Sequence, residues 1–161
     1  MARLLAHFYQ NSYVTTDIDR AKEIFGTHYG VKAYSNIDSS VELKTMRGPG
    51  QVSLKVALAY VNQFQIELIQ PLSGSASWIY REVLPASGFG LVFHHIACQV
   101  PGPIERWQEF RAEVGNAEHP IAFEGDVGAA KFVFLDARPR LGHYIEYIWT
   151  EYDMDVDVPR N

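Results

Sequence analysis

The stretch Tyr9–Gly26, YQNSYVTTDIDRAKEIFG, has a counterpart in Phe93–Gly115, FHHIACQVPGPIERWQEFRAEVG. Each opens as a strand-like run carrying one side chain able to bind a metal, Gln10 in the first and His95 in the second, then turns and continues as an amphipathic helix. Each is answered downstream by an Ile-Glu pair in an apolar strand: FQIELIQPL (Phe64–Leu72) holds Glu67, and HYIEYIW (His143–Trp149) holds Glu146. Gln10 precedes Glu67 by 57 positions and His95 precedes Glu146 by 51, so the halves read as two copies of one module in similar register. Copies packed side by side would let these four side chains converge on one ion.

Working outward, Asp17 stands where an N-cap belongs, before Ile18, Ala21, Ile24 and Phe25 at helical spacing, and Gly26 and Gly30 punctuate the helix end. Residues 31–37 read as a strand and RGPGQ (Arg47–Gln51) as a turn-rich break, with 35–51 a loop that shapes the pocket. Strands over Val52–Val61 and Phe64–Ile69 make a hairpin around Asn62-Gln63. PLSGSAS (Pro71–Ser77) reads as a linker and WIYREVL (Trp78–Leu84) as a short connecting helix. The second half repeats the order, with a strand at 91–100, a helix at 104–114, and strands near 121–123, at 131–136 and at 143–149. Each half is therefore β-α-β-β-β. The expectation is one α+β domain over residues 1–161, with module one at 5–72, a linker at 73–90, module two at 91–150 and a loose C-terminal tail at 151–161.

Bulk composition narrows the function classes. A chain of 161 residues can bury roughly 70% of its surface and fold alone. Its formal net charge of −5 offers no basic footprint for nucleic acid. No run approaches the ~18 apolar residues a membrane helix needs, and MARLLAHFYQ is too short and too interrupted for a signal peptide, so a cytoplasmic protein is expected. The single cysteine, Cys98, excludes an intrachain disulfide and a thiolate-rich zinc site, leaving nitrogen and oxygen as metal ligands. There is no phosphate-binding P-loop, dinucleotide fingerprint or G-x-S-x-G elbow.

Strand parity supplies a direction, because alternate side chains face opposite sides of a sheet. Gln10 shares a face with Phe8, Ser12 and Val14; Glu67 with Gln65 and Ile69; His95 with Phe93, Ala97 and Gln99; Glu146 with Tyr144 and Ile148. His94, Cys98, His7 and His143 take the other parity and read as structural. A lone His among apolar neighbours is ordinarily a satisfied core group, and a neutral amide such as Gln10 is a poor ligand that can simply hydrogen-bond within the sheet. The repeat is what lifts the four above that background.

In TTDIDRAKEIFG after the first strand, IELIQPL closing module one, FHHIACQV opening module two and DARPRLGHYIEYIW closing it, the chain resembles the vicinal oxygen chelate superfamily over roughly residues 5–149. That superfamily includes glyoxalase I, methylmalonyl-CoA epimerase, extradiol dioxygenases and bleomycin-resistance proteins. The resemblance implies paired βαβββ modules forming an eight-stranded, cup-shaped mixed sheet, with metal ligands from the first and fourth strands of each module. Carried over by register, these are Gln10, Glu67, His95 and Glu146. The ligand types resemble glyoxalase I, and the IELIQPL and FHHIA contexts resemble the epimerase; both branches stabilise an enolate or enediolate beside a carbonyl. Extradiol oxygenation needs two His and a carboxylate, and His95 is the one histidine at these positions.

The expected cofactor is thus a divalent transition metal, Zn, Ni, Co, Mn or Fe, acting as a Lewis acid. Glu146 or Glu67 is the expected catalytic base. Tyr144 on the Glu146 face, and Arg138 and Arg140 at the rim, are candidates for holding a small carbonyl or thioester substrate. The alternative is a metal-free drug-sequestering or sensing protein whose aromatics Phe8, Phe93, Tyr80 and Tyr144 hold an apolar ligand. The resemblance also implies a homodimer, and leaves open whether the cup closes within one chain or across two.

Overall fold

The computed structural model describes residues 7–115, 118–151 and 158–161. Its elements run β1 (Phe8–Thr15), α1 (Ile18–Tyr29), β2 (Ser35–Thr45), β3 (Gly48–Val61), β4 (Phe64–Ser73), α2 (Trp78–Arg81), β5 (Leu91–Gln99), α3 (Ile104–Glu113), β6 (Ile121–Asp126), β7 (Ala130–Asp136), α4 (Arg138–Leu141) and β8 (Tyr144–Thr150). The duplicated order is present. The strands form one closed eight-stranded mixed sheet in the order β1-β4-β3-β2-β6-β7-β8-β5, so the α+β cup closes within a single chain.

Register makes the duplication quantitative. In module one β1 runs parallel to β4, with Gln10 opposite Gln65 and Ser12 opposite Glu67. In module two β5 runs parallel to β8, with His95 opposite Tyr144 and Ala97 opposite Glu146. Where the modules meet, β1 and β5 are antiparallel, with Gln10 opposite Ala97 and Ser12 opposite His95. A pseudo-twofold axis through this seam therefore exchanges Gln10 with His95, Ser12 with Ala97, Gln65 with Tyr144 and Glu67 with Glu146.

The helices cover the outer wall. Asp17 caps α1 by accepting from the backbone N–H groups of Asp19 and Arg20, both at 3.1 Å, and Gly30 ends the helix in the left-handed region at φ 77°. Ile18, Ala21 and Phe25 of α1 pack on Ala57, Ala59 and Leu68, where small residues on β3 let the helix approach. Trp107 of α3 covers Cys98, Val133, Ile145 and Tyr147 in the second module. A further cluster inside the barrel, including Phe123, Phe134, Tyr80 and Tyr144, plugs one end. Phe123 and Phe134 stack at 4.1 Å there. Among the described residues no helix is long and apolar enough to cross a membrane.

Four expectations need correction. Residues 35–51 are not a loop: β2 and β3 form a hairpin with Thr45 opposite Gly48, and Ile37, Ser39, Val41 and Leu43 face the barrel interior in strict alternation. Secondly, β5 carries a β-bulge. Ser12 pairs with His95 but Tyr13 pairs with Phe93, so His94 is an extra residue and parity breaks between His94 and its neighbours. Phe93 consequently points outward, against Tyr13 and His143, while His94 turns inward beside His95. Thirdly, the DARPRLG turn contains a helical turn, α4.

The fourth concerns the tail. Val158–Asn161 dock onto module one: the Tyr60 N–H donates to Pro159 O (2.8 Å), Arg160 lies over the Tyr60 ring, and Asn161 Oδ1 accepts from the N–H groups of Lys32 and Ala33. Residues 152–157 of the expected tail lie outside the described residues.

The second seam of the barrel is much shorter than the first. β2 and β6 pair only through Leu43, Lys44 and Thr45 with Gly125, Glu124 and Phe123. Beyond them β2 is bonded to β3 alone, and the wall opens between Ile37 and Ser39 on one side and Val127 and Ala130 on the other. Gly125 has the Phe132 ring lying where its Cβ would stand, so glycine is what lets that aromatic side chain fold into the barrel.

Candidate active site in the barrel

The opening leads to a cavity of about 260 Å³, just below the ~300–1,000 Å³ usual for sites that enclose drug-sized ligands. Its polar half comes from β1, β4, β5 and β8, and its apolar half from β2, β3 and β7. Gln10, Glu67, His95 and Glu146 all line it, as strand parity requires.

Three of the four meet at one atom. His95 Nε2 lies 3.4 Å from Glu67 Oε2 and 3.3 Å from Glu146 Oε2. It is buried and has no hydrogen-bond partner, because neither carboxylate is aligned to accept from it. Gln10 is turned aside: its Nε2 donates to Gln65 Oε1, and its Oε1 accepts from Ser12 Oγ at 3.2 Å. Ser12 sits between, 2.6 Å from Glu67 Oε2 and held by the same strand pair that aligns Glu67. Among the described residues no three His, Cys, Asp or Glu side chains are already spaced as a ligand cage.

The second histidine determines how the first presents itself. His94 is 1% exposed, stacks on Tyr80 (5.1 Å), and has both ring nitrogens engaged: Nε2 faces Ile79 O at 3.3 Å and Nδ1 faces His95 Nδ1 at 2.9 Å. A carbonyl can only accept, so His94 Nε2 carries a hydrogen. Burial, with the charge of His95 second, holds His94 well below the usual histidine range, so its Nδ1 is a bare acceptor. His95 must then donate from Nδ1. Assigned in this way from the hydrogen-bond network, the neutral His95 ring turns an Nε2 lone pair toward two carboxylates.

Two carboxylates and an imidazole lone pair facing one another call for a cation between them. Burial would lower the His95 pKa, but Glu146 and then Glu67 outweigh it and raise it to about 9, so a proton fills the gap when nothing else does. Burial raises Glu146 above the ordinary glutamate range, with His95 opposing and Glu67 reinforcing. One imidazole nitrogen and two carboxylates around an orphaned buried atom are also the donor set of a divalent transition-metal site. The residues present fit such an ion. His94 is not available as a second imidazole, since both its nitrogens are committed.

The other expected contacts lie elsewhere. Tyr144 faces inward but is buried in the apolar plug, outside the cavity lining, and its hydroxyl donates to Glu82 Oε1 at 2.8 Å. Arg138 is bound twice by Asp136 (2.8 and 2.7 Å), also by Glu82, and lies 4.3 Å over the Tyr144 ring. Arg140 pairs with Glu118 at 3.0 Å, its side chain 61% exposed. Of Phe8, Phe93, Tyr80 and Tyr144 only Tyr80 lines the cavity. Gln65 and Ser12 are contributors that motif spacing did not single out, while Tyr80 was expected only as an aromatic for an apolar ligand. Parity alone placed Gln65 beside Glu67 and Ser12 beside Gln10, whereas Tyr80 carries no strand signal because it arrives from α2.

Comparison with known proteins follows the same lines. Residues 9–130 match the model of the Glyoxalase/Bleomycin resistance protein/Dioxygenase superfamily. The chain belongs to this superfamily. No curated protein sequence matches it. Among solved structures it is similar to methylmalonyl-CoA epimerase from Mycobacterium tuberculosis, at 15% identity and a TM-score of 0.57, over 93% of this chain and 92% of that one. A Streptomyces coelicolor methylmalonyl-CoA epimerase variant in complex with 2-nitronate-propionyl-CoA is similar at 15% identity and 0.57, over 91% and 99%. A hypothetical protein from Bacillus halodurans C-125 shares 21% identity at 0.54, over 91% and 95%. At these identities the likeness is one of fold.

Proposed function

We propose that the protein is a metal-dependent lyase or isomerase of the glyoxalase and epimerase kind, moving a proton on a carbon next to a carbonyl. The observation that carries this reading is His95 Nε2, buried, without a hydrogen-bond partner and flanked by two carboxylates. A divalent ion held by His95, Glu67 and Glu146, with Gln10 beside them, would supply Lewis-acid stabilisation of the oxyanion that forms as the proton leaves. The epimerases of similar fold lend support to the reaction class, and the expected substrate remains a small carbonyl compound or thioester.

The chain's own residues divide the remaining work. Glu146, leaving the ion, would be the better base, because its burial then raises its proton affinity toward that of a substrate C–H made acidic. Its carboxylate oxygen takes the proton from the carbon beside the carbonyl and returns it. Glu67 is restrained by Ser12 Oγ and stays in place. His94 keeps the His95 ring fixed through Nδ1, and the apolar walls of β2, β3 and β7 exclude water. The second reading, a binding protein, is favoured by one feature, the turning of Gln10 onto Gln65.

Metal analysis of the purified full chain, followed by zinc, nickel and cobalt titration, tests the proposal. One ion per chain, lost in the Glu67→Ala/Glu146→Ala double variant, is expected. Solvent deuterium exchange next to the carbonyl, followed by NMR across hydroxyketones, hemithioacetals and acyl-CoA thioesters, then reads the chemistry. A chain that takes up no transition metal would sink the enzyme reading in favour of the binding one.

A further inference from the structure

The charges lining the cavity are one-sided. The chain has 14 Lys and Arg residues, of which only Arg3 lies outside the described residues, and none of the others lines the cavity. Several are visibly spent elsewhere. Arg138 and Arg140, the two placed nearest the candidate site by sequence, are held by Asp136, Glu82 and Glu118 on the outside. Arg81 donates to the carbonyls of Pro71 and Leu72, and Arg47 lies over Trp78 at 3.7 Å. Among the described residues, the ionisable groups that line the cavity are Glu67, Glu146, His95 and the phenols Tyr9 and Tyr80.

The wall opposite the carboxylates is aliphatic apart from Ser39. Ile37 pairs with Val56, Val41 with Val52, and Leu54 and Leu58 continue the same face. A molecule with its reacting oxygens at His95 must lay the rest of its body along this surface. It finds no cationic group there for an anion, only the neutral hydroxyl of Ser39, and Phe132 and Phe134 close the third side.

From these two facts we infer that the cavity selects an uncharged, apolar-bodied carbonyl substrate and rejects one bearing a free carboxylate or phosphate inside the barrel. The inference deepens the proposed function, on which it rests for the reaction but not for the sign of the charge. With a divalent ion present, two carboxylates bring the site to neutrality, and a substrate anion adds one uncompensated negative charge in a buried place. Without the ion, two carboxylates face a single imidazole and no Lys or Arg lines the cavity, so the site offers an anion no net positive charge. The neutral substrate is preferred in both states. A thioester passes the same filter when its acyl part is uncharged, whereas a dicarboxylic acyl group does not.

A matched probe pair tests this: 2-hydroxyacetophenone, neutral, against phenylglyoxylate, anionic, each with adjacent oxygens on a phenyl body. Binding to the full chain is measured by calorimetry, zinc-loaded and again after chelator treatment, at pH 7.5. The hydroxyketone is expected to bind at least about tenfold more tightly in both forms. Ile37→Lys, a substitution at the 43%-exposed mouth, should shift the preference several-fold toward phenylglyoxylate. Equal or tighter binding of phenylglyoxylate to the metal-free wild-type chain overturns the inference, as does failure of both probes to bind in either form. A chain that takes no zinc yet keeps the neutral preference sinks the metal reading alone and leaves the charge filter standing.

Discussion

Replacing His94 with leucine removes the one side chain that orients His95 without touching the cavity. Two buried hydrogen bonds go, to His95 Nδ1 at 2.9 Å and to Ile79 O at 3.3 Å, as does the stack on Tyr80. Leaving a buried donor and a buried carbonyl unsatisfied costs about 1–3 kcal/mol each, so the variant should be less stable by roughly 2–6 kcal/mol. Loss of an orienting partner behind a metal-ligating His typically weakens metal binding by about 10–100-fold, or ~1.4–2.7 kcal/mol. His94→Gln is the control. Its amide can donate to Ile79 O and accept from His95 Nδ1–H, so it should recover most of the affinity. Zinc affinity is measured by competition with a chromophoric chelator, and the His95 tautomer by long-range nitrogen–proton NMR of the zinc-loaded chain. The reasoning is refuted if His94→Leu binds zinc like the wild type, or if the wild-type His95 carries its hydrogen on Nε2.

Other outcomes follow from individual groups. His95 in the metal-free chain has a folded pKa raised to about 9 from 6.5, so its contribution to stability is full below pH 6.5 and lost as pH rises through about 9. Urea midpoints of the metal-free chain should therefore fall between pH 7 and pH 10 on this account, and zinc affinity should rise by about tenfold per pH unit up to pH 9 as one proton is displaced. Cys98 is fully buried and burial pushes its thiol up to about 11, so a thiol reagent at pH 8 should react only after denaturant is added. Asp17→Ala should lower stability by about 0.5–2 kcal/mol through loss of the α1 cap, seen as a shift in chemical denaturation. Phe123→Ala, at a fully buried ring stacked on Phe134, should cost about 3–5 kcal/mol and loosen the closed end of the cavity.

Sequence reading reached the duplication because both copies keep a local signature, a strand, a capped helix and an Ile-Glu strand, and local signatures are what spacing encodes. Parity then oriented Gln10, Glu67, His95 and Glu146 correctly toward the interior. It failed at His94, where the bulge exists only because of how β5 meets β1, a relation between residues about eighty positions apart. It failed also at 35–51, whose Asp, Ser and Glu residues mark an exposed strand face but look like loop chemistry when its inward partners Ile37, Val41 and Leu43 are not weighed with them. The destination of Arg138 depends on Glu82, at the end of a four-residue helix in the connecting segment, and no periodicity announces such a contact.

The pseudo-twofold seam between β1 and β5 bears on the two carboxylates it relates. Were the two modules identical, the axis would give Glu67 and Glu146 the same surroundings, and neither could differ from the other in charge or reach. Here the exchanged positions hold Gln10 against His95, Ser12 against Ala97 and Gln65 against Tyr144, while Glu67 and Glu146 alone are preserved. Carrying both halves on one chain is what lets them differ. The two carboxylates thus stand in different surroundings, and any division of labour between them is written in those three mismatched pairs.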